Sequence, residues 1–345
     1  MKVKFFDPGQ EYRNHKVELD AVWHNVMNRG DLILQGDVRD FEALIASYFG
    51  EKYAVGVNSG TDALFLTLKA MGIGKGDEVI TSAHTFKATI EAIHHTGATP
   101  ILVDIGDDYL MDMNQVAEKI TLDTKVIIPV HLSGDVCDWT TLLDFQKMND
   151  YRFEIVEDSC QAFGAAIGVH GIASCYSFYP AKMLGCAGDG GAVVTKNKEL
   201  ADKVRGLRNH VGWGYNSRLD NLQAAILLEK FRYHADTIAR RKEIAVMYDE
   251  RLAGTPLVLP KERHMYQDYV VRSDEATEMA GYLGNAGIQT LGVNLEPNHI
   301  DLGIDVRLPK YEEYSKQFVR LPCNQVLSDE QVVYVCDKIN EYYGL

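Results

Sequence analysis

Between residues 53 and 200, short apolar runs alternate with longer stretches in which apolar residues recur every three or four positions. The short runs are rich in Val and Ile and bounded by Gly, Pro or Asp, the signature of strands. They fall at Tyr53–Val57, Glu78–Thr81, Thr99–Val103, Lys125–Val130 and Phe153–Val156, with two more at 172–178 and 191–195. The longer stretches predict helices from Thr61 to about Met71, then near 87–96, 113–120, 138–148 and 198–208. A long, kinked or broken helix is expected over roughly 220–252. Alternation of this kind predicts an α/β domain with a mainly parallel seven-stranded sheet covered on both faces. Gly254-Thr255-Pro256 interrupts the pattern. After it come a strand near 266–272, a helix near 274–286, an irregular stretch and a terminal helix from Ser328. Ser328 and Gln331 have the spacing of a capping box. The expected division is a large domain over 1–253 and a small α+β domain over 254–345.

Composition narrows the classes. A chain of 345 residues, 46% hydrophobic and 24% charged, can bury a large core without staples. Its formal charge of -14 argues against a broad nucleic-acid surface. A small anion needs only a few backbone amides and stays possible. No apolar run of about 18 residues predicts a membrane span. The N-terminus, Met1-Lys2-Val3-Lys4-Phe5-Phe6-Asp7-Pro8, lacks a signal-peptide core. The six cysteines form no C-x-x-C pair and no zinc framework. They read as free thiols in a reducing compartment, with the cytoplasm as the default location.

Four segments carry candidate chemistry. In Asn58-Ser59-Gly60-Thr61-Asp62-Ala63 a strand ends, a glycine follows and a helix begins. The amides of such a helix start, with Thr61 and Asp62 the candidates, form an anion site; the plain alternative is an N-cap. In Glu157-Asp158-Ser159-Cys160-Gln161 carboxylates follow a buried-type strand, where open α/β sheets hold ligands. Asp158 can face a protonated ring nitrogen there, or cap a helix. In Ser177-Phe178-Tyr179-Pro180-Ala181-Lys182 a lysine lies between a strand and the cluster Gly188-Asp189-Gly190-Gly191. An amine there can form an imine, or be an ordinary loop lysine. Gly214-Tyr215-Asn216-Ser217-Arg218-Leu219-Asp220 precedes a long helix and reads equally as a cap or turn.

In order along the chain, these segments resemble the DegT/DnrJ/EryC1/StrS family of pyridoxal-phosphate-dependent sugar aminotransferases. The likeness runs from Gln35-Gly36 and Phe41-Glu42 to the terminal helix. It includes Thr85-Phe86-Lys87-Ala88-Thr89, Ile128-Pro129-Val130-His131-Leu132 and Val156-Glu157-Asp158-Ser159. The resemblance implies the aspartate-aminotransferase type of fold (fold type I) and pyridoxal 5'-phosphate as cofactor. It implies that Lys182 holds the cofactor as a Schiff base and that Asp158 faces the pyridine nitrogen. Gln161 then lies near the ring hydroxyl and Phe86 stacks on the ring. Gly60, Thr61, Asp62 and Ser177 surround the phosphate. Asn216 reaches the phosphate of a neighbouring subunit's cofactor, which implies a homodimer with shared active sites. The implied reaction moves an amino group, from glutamate, to a keto sugar that is nucleotide-linked, as in lipopolysaccharide or O-antigen biosynthesis.

The lyase branch of the family has histidine at the lysine position, so Lys182 favours transfer over deoxysugar dehydration. A cyclitol or non-nucleotide sugar ketone stays open as acceptor. A non-catalytic sensor is disfavoured by the set Lys182, Asp158 and Gln161. Two departures bear on the acceptor. The loop between Arg208-Asn209-His210 and Gly214-Tyr215-Asn216 is short. The usual His-Tyr-Pro stretch is replaced by Leu291-Gly292-Val293-Asn294-Leu295-Glu296-Pro297-Asn298-His299. Further candidates for substrate contact are His84, His131, Tyr179 and Arg218, each with a structural alternative: a satisfied histidine, aromatic packing or a salt bridge.

Overall fold

The structure, a computed structural model, describes residues 1–148, 152–165, 169–261, 265–293 and 295–345. Asn294, within the stretch that departs from the family pattern, lies outside the described residues, as do 262–264. Three helices open the chain: α1 (Pro8–Asn14), α2 (Lys16–Arg29) and α3 (Gly36–Tyr48). The alternating region follows as β1 (Tyr53–Val57), α4 (Gly60–Ala70), β2 (Glu78–Ser82), α5 (Ala88–Thr96), β3 (Thr99–Val103), α6 (Met113–Lys119), β4 (Thr124–Ile128), α7 (Trp139–Met148), β5 (Glu154–Asp158), β6 (Ala173–Ser177) and β7 (Gly191–Thr195). Then come α8 (Lys198–Leu207), α9 (Asn221–Phe231) and α10 (His234–Leu252). The last part holds β8 (Tyr269–Arg272), α11 (Ala276–Asn285), α12 (Asn298–Asp301), α13 (Pro309–Tyr314), β9 (Phe318–Leu321) and α14 (Asp329–Tyr343).

Strands β1–β7 form one seven-stranded sheet in the order β1-β7-β6-β5-β4-β2-β3. Its pairs from β6 to β3 are parallel, and β7 runs antiparallel to both neighbours. Successive strand side chains point to opposite faces. Val55, Val57, Val156 and Cys175 therefore join the core with Leu64 and Leu68 of α4. Ala54, Tyr176 and Val194 join Phe41 of α3 and Leu227 of α9 on the other face. Both faces are apolar, so the strands read as continuous rather than alternating runs.

Several differences from expectation have physical causes. Strand β5 continues through Glu157 and Asp158 instead of stopping at Val156, because these carboxylates find partners on either side of the sheet. The long helix breaks at Arg232-Tyr233, where Tyr233 stacks on His15 with ring centroids 3.8 Å apart. Helices α1–α3 and strand β9 were not marked by the sequence pattern. The capping box at Ser328 and Gln331 is present in both directions. Residues Val3, Ile244, Tyr248, Tyr269, Ile288 and Val335 share one buried cluster, so the chain's start packs among its last third. No described helix is long and apolar enough to cross a membrane.

Candidate active site

The carboxyl ends of β5 and β6 and the start of α4 converge on a cavity of ≈ 580 Å³. Its wall includes Gly60, Thr61, Phe86, Asp158, Gln161, Ser177, Tyr179 and Lys182. The two-residue period of a strand explains which carboxylate serves it. Asp158 shares its face with Val156, and its neighbour Glu157 is turned to the opposite face.

Asp158 is buried and tightly positioned. Its Oδ2 accepts from Thr89 Oγ1 at 2.7 Å, and its Oδ1 accepts from the Cys160 N–H at 3.1 Å. Thr89 Oγ1 in turn lies 2.6 Å from Oγ1 of Thr85, in the loop before α5. Across the sheet, Glu157 and His131 are both 0% exposed, with His131 Nε2 3.2 Å from Glu157 Oε2. Glu157 also accepts from the N–H groups of His170 and Gly171 at 2.7 and 3.0 Å. Burial alone would raise this carboxyl, but the hydrogen bonds from His131 and His170 outweigh it and hold it down at about 2.

The start of α4 is a cradle. Ser59 caps the helix by accepting from the Asp62 N–H at 3.0 Å. The N–H groups of Gly60 and Thr61 have no hydrogen-bond partner among the described residues and border the cavity. A Cβ on Gly60 would lie 2.7 Å from Cys160 Sγ and 2.8 Å from Ser177 Cβ. Only glycine lets the helix start close down on the end of β6. The cradle suits a phosphate, since free amides and the helix dipole both favour an anion. Beside it, Phe86 is 65% exposed on the cavity wall, where its ring can cover a flat ligand. Lys182 makes no side-chain hydrogen bond or salt bridge among the described residues. These features fit a planar cofactor with a phosphate arm and a carbonyl.

Not every candidate lies here. Asp62 is off the cavity: its N–H belongs to Ser59, and its carboxylate accepts from Ser217 Oγ at 2.7 Å. It therefore has neither amide nor charge to offer a phosphate. His131 is sealed beneath the sheet, holding Glu157 and accepting from the Cys137 N–H at 3.1 Å through Nδ1. Its candidacy as a substrate contact is withdrawn on that ground. Arg218 points to Asn209 Oδ1 at 3.3 Å and lines no part of the cavity. Asn216 is exposed and also lines no part of it. The short loop that carries it is a closed turn, with Tyr215 N–H bonded to Leu207 O and Trp213 96% exposed at its tip.

His84 borders an adjoining cavity of ≈ 490 Å³. Its ring stacks on Phe318 at 4.9 Å, and Nδ1 lies 2.9 Å from Tyr109 O. Leu291, Gly292, Leu295, Glu296 and Asn298 of the departing stretch line the same space. Asn298 Nδ2 donates to the carbonyls of Ala83 and Thr85, tying this stretch to the Phe86 loop. Arg320 lines both cavities and is held by Asp268 Oδ2 at 3.4 Å. Residues Thr89, Gln267, Asp268 and Arg320 were missed in the sequence. Of these only Thr89 had a local marker, as the last residue of the Thr85-Phe86-Lys87-Ala88-Thr89 motif.

A doubly covered sheet with a lysine, a buried carboxylate and a helix-start anion cradle around one cavity defines an enzyme of the pyridoxal phosphate type. The model of the DegT/DnrJ/EryC1/StrS aminotransferase family matches residues 14–340. A dTDP-3-amino-3,6-dideoxy-alpha-D-galactopyranose transaminase of Aneurinibacillus thermoaerophilus is 38% identical, over 99% of both chains. The crystal structure of DesV from S. venezuelae, in complex with a ketimine intermediate, superposes with a TM-score of 0.93. It is 35% identical, covering 99% of this chain and 98% of that one. NtdA from Bacillus subtilis, with bound cofactor PMP, gives a TM-score of 0.92 at 28% identity, over 100% and 86% of the chains. The chain belongs to the DegT/DnrJ/EryC1/StrS aminotransferase family. It is a sugar aminotransferase of the aspartate-aminotransferase fold, and its cofactor is pyridoxal 5'-phosphate.

Proposed function

We propose that this enzyme transfers the amino group of glutamate to a nucleotide-linked keto sugar, with Lys182 as the residue that attaches the cofactor. The single observation that carries this reading is the meeting of Lys182, Asp158 and the Gly60-Thr61 amides on one cavity. When bound, the cofactor supplies an aldehyde carbon for an amine and a ring that withdraws electrons. Lys182 Nζ would hold the cofactor at that carbon, with loss of water on joining, and would become the free amine that takes and returns the proton of the substrate carbon once the substrate amine displaces it. Asp158, fixed by Thr89 and Cys160, keeps a proton on the ring nitrogen. Gly60, Thr61 and Ser177 would hold the phosphate, and Gln161 and Phe86, on the same wall, would contact the ring.

The adjoining cavity behind Phe86, with His84 and Arg320 on its wall, is the proposed seat of the sugar and its anionic arm, and Tyr179, 53% exposed on the wall of the first cavity, is a proposed contact for the substrate's reacting end. Relatives that are transaminases of dTDP- and UDP-linked sugars support a nucleotide on the acceptor. A homodimer is proposed because Asn216 stands exposed, off its own cavity, where a partner's cofactor can meet it. Exposed Val17, Trp23, Met27 and Trp213 offer apolar surface for that pairing. A division into 1–253 and 254–345 is likewise proposed, with the cavity between the two parts.

The test is the absorption spectrum of the purified holoenzyme before and after glutamate. Loss of the visible band with release of 2-oxoglutarate is expected. Lys182→Ala should show neither. A holoenzyme that keeps its visible band at saturating glutamate would refute glutamate as donor.

A further inference from the structure

Lys182 lies in a segment, 178–190, where no helix or strand fixes the backbone. Its own N–H donates to Tyr179 O at 2.8 Å. The peptide groups on either side are gripped from a distant part of the chain. Gln267 Nε2 donates to Ala181 O at 3.0 Å, and Gln267 Oε1 accepts from the Met183 N–H at 2.9 Å. A carboxamide carries donor and acceptor side by side, so it can satisfy a C=O and an N–H together. Gln267 is buried and is itself held at both ends. Its N–H donates to Ser133 O at 3.1 Å, and its C=O accepts from Arg241 Nη1 at 2.8 Å. Arg241 is braced in turn by Gln325 Oε1, at 3.0 Å from Nη2. The Ser133 N–H donates to Gln161 Oε1 at 2.9 Å. Lys182 and Gln161 are thus both tied to Gln267, the first through its side chain and the second, by way of Ser133, through its backbone N–H.

We propose that Gln267 is a positioning residue for Lys182: by holding the peptides on both sides of the lysine, it sets where the ε-amino group meets the cofactor. The inference rests on the role given to Lys182 above. A four-carbon side chain magnifies any rotation at its Cα. Among the described residues, no hydrogen bond or salt bridge to the ammonium corrects such an error. A displacement of about 1 Å in a reacting group can cost about 100-fold in rate. Purely structural glue would lower stability and leave turnover in the folded protein unchanged.

The experiment compares the Gln267→Met holoenzyme with wild type. Methionine keeps the length of the side chain and removes both hydrogen bonds. The expected result is a fall in kcat of about 100-fold, with KM for donor and acceptor changed less than about threefold. The visible circular dichroism of the bound cofactor should change with it, since it reports the cofactor's orientation. Unchanged kcat and dichroism in the folded variant would overturn the inference. So would a raised KM at unchanged kcat, which would make Gln267 a substrate contact instead. If Gln267→Met does not fold, Gln267→Glu decides: it keeps an acceptor for Met183 and offers Ala181 no donor when ionised. A fall in kcat of about tenfold at constant KM is expected there, and unchanged kcat overturns the proposal. Lys182→Ala separates the two levels. Turnover without Lys182 would refute the underlying reading. An inert Lys182→Ala beside fully active Gln267 variants would refute this inference alone.

Discussion

Neighbouring residues Glu157 and Asp158 have the same charge and opposite fates. One closes a network beneath the sheet, the other borders the cavity, because a strand turns each successive side chain over. Glu157 has its carboxyl held at about 2, against 4.5 unperturbed, by His131 and His170 despite burial. A depressed carboxyl contributes stability above its unfolded value and loses it as the pH falls. The loss should therefore run from about pH 4.5 down to about pH 2 and amount to on the order of 3 kcal/mol. Denaturant midpoints taken across that window should fall more steeply in wild type than in Glu157→Gln. A His131→Ala variant should lose about 1–3 kcal/mol at neutral pH, since it removes one donor from a buried carboxylate that keeps the His170 and Gly171 N–H groups. At this scale local motifs named Lys182, Asp158, Gln161 and Phe86, and the structure brings these four onto one cavity. It misplaced Asp62 and His131, because no local pattern says whether an amide is already capped or a ring faces the sheet's other side. Gln267 and Arg320 had no local signal at all, since they reach the site from strand and loop positions set by tertiary register.

The element that organises the site is α4, and its first residue is the sensitive one. Any side chain at Gly60 must push against Cys160 and Ser177. Gly60→Ala should weaken cofactor binding by about 1–3 kcal/mol, or roughly 5- to 150-fold in the dissociation constant, measured by fluorescence titration of the apoenzyme. Leu64→Ala, one turn further on and buried, should instead cost about 2–5 kcal/mol of global stability with cofactor affinity per folded molecule retained. The bounds of β1, β3 and β7 could be read residue by residue, because their apolar runs give way to the polar residues Asn58, Asp104 and Lys196. Helix α2 could not: its apolar residues Val17, Trp23 and Met27 stay exposed, and only Val26 is buried, so they mark no core-facing stripe. The break between α9 and α10 has neither Gly nor Pro to announce it. It is set by tertiary packing around Tyr233.

For the whole molecule, the proposed pairing makes a prediction that no single chain can show. A Lys182→Ala chain retains Asn216, and an Asn216→Ala chain retains Lys182. Each should be impaired alone, and a refolded mixture should regain part of the activity through hybrid dimers with one complete site. No recovery, in a mixture shown to form hybrids by mass spectrometry, would refute the shared site. The overall architecture was legible because the alternation over 53–200 admits few topologies. The embedding of the N-terminus was not, since Val3 is a lone apolar residue whose partners are far away in sequence. Phe5 and Phe6 line the cavity, yet the Phe5 N–H is bound by Gln289, and its carbonyl accepts from Asn324, 319 positions later. On the ribosome Phe5 and Phe6 emerge long before the residues that hold them, and the wall they form can close only once Gln289 and Asn324 have followed. Stalled nascent chains ending before Gln289 should hold the phosphate cradle but leave the cavity open to water, so durable cofactor capture waits for Asn324.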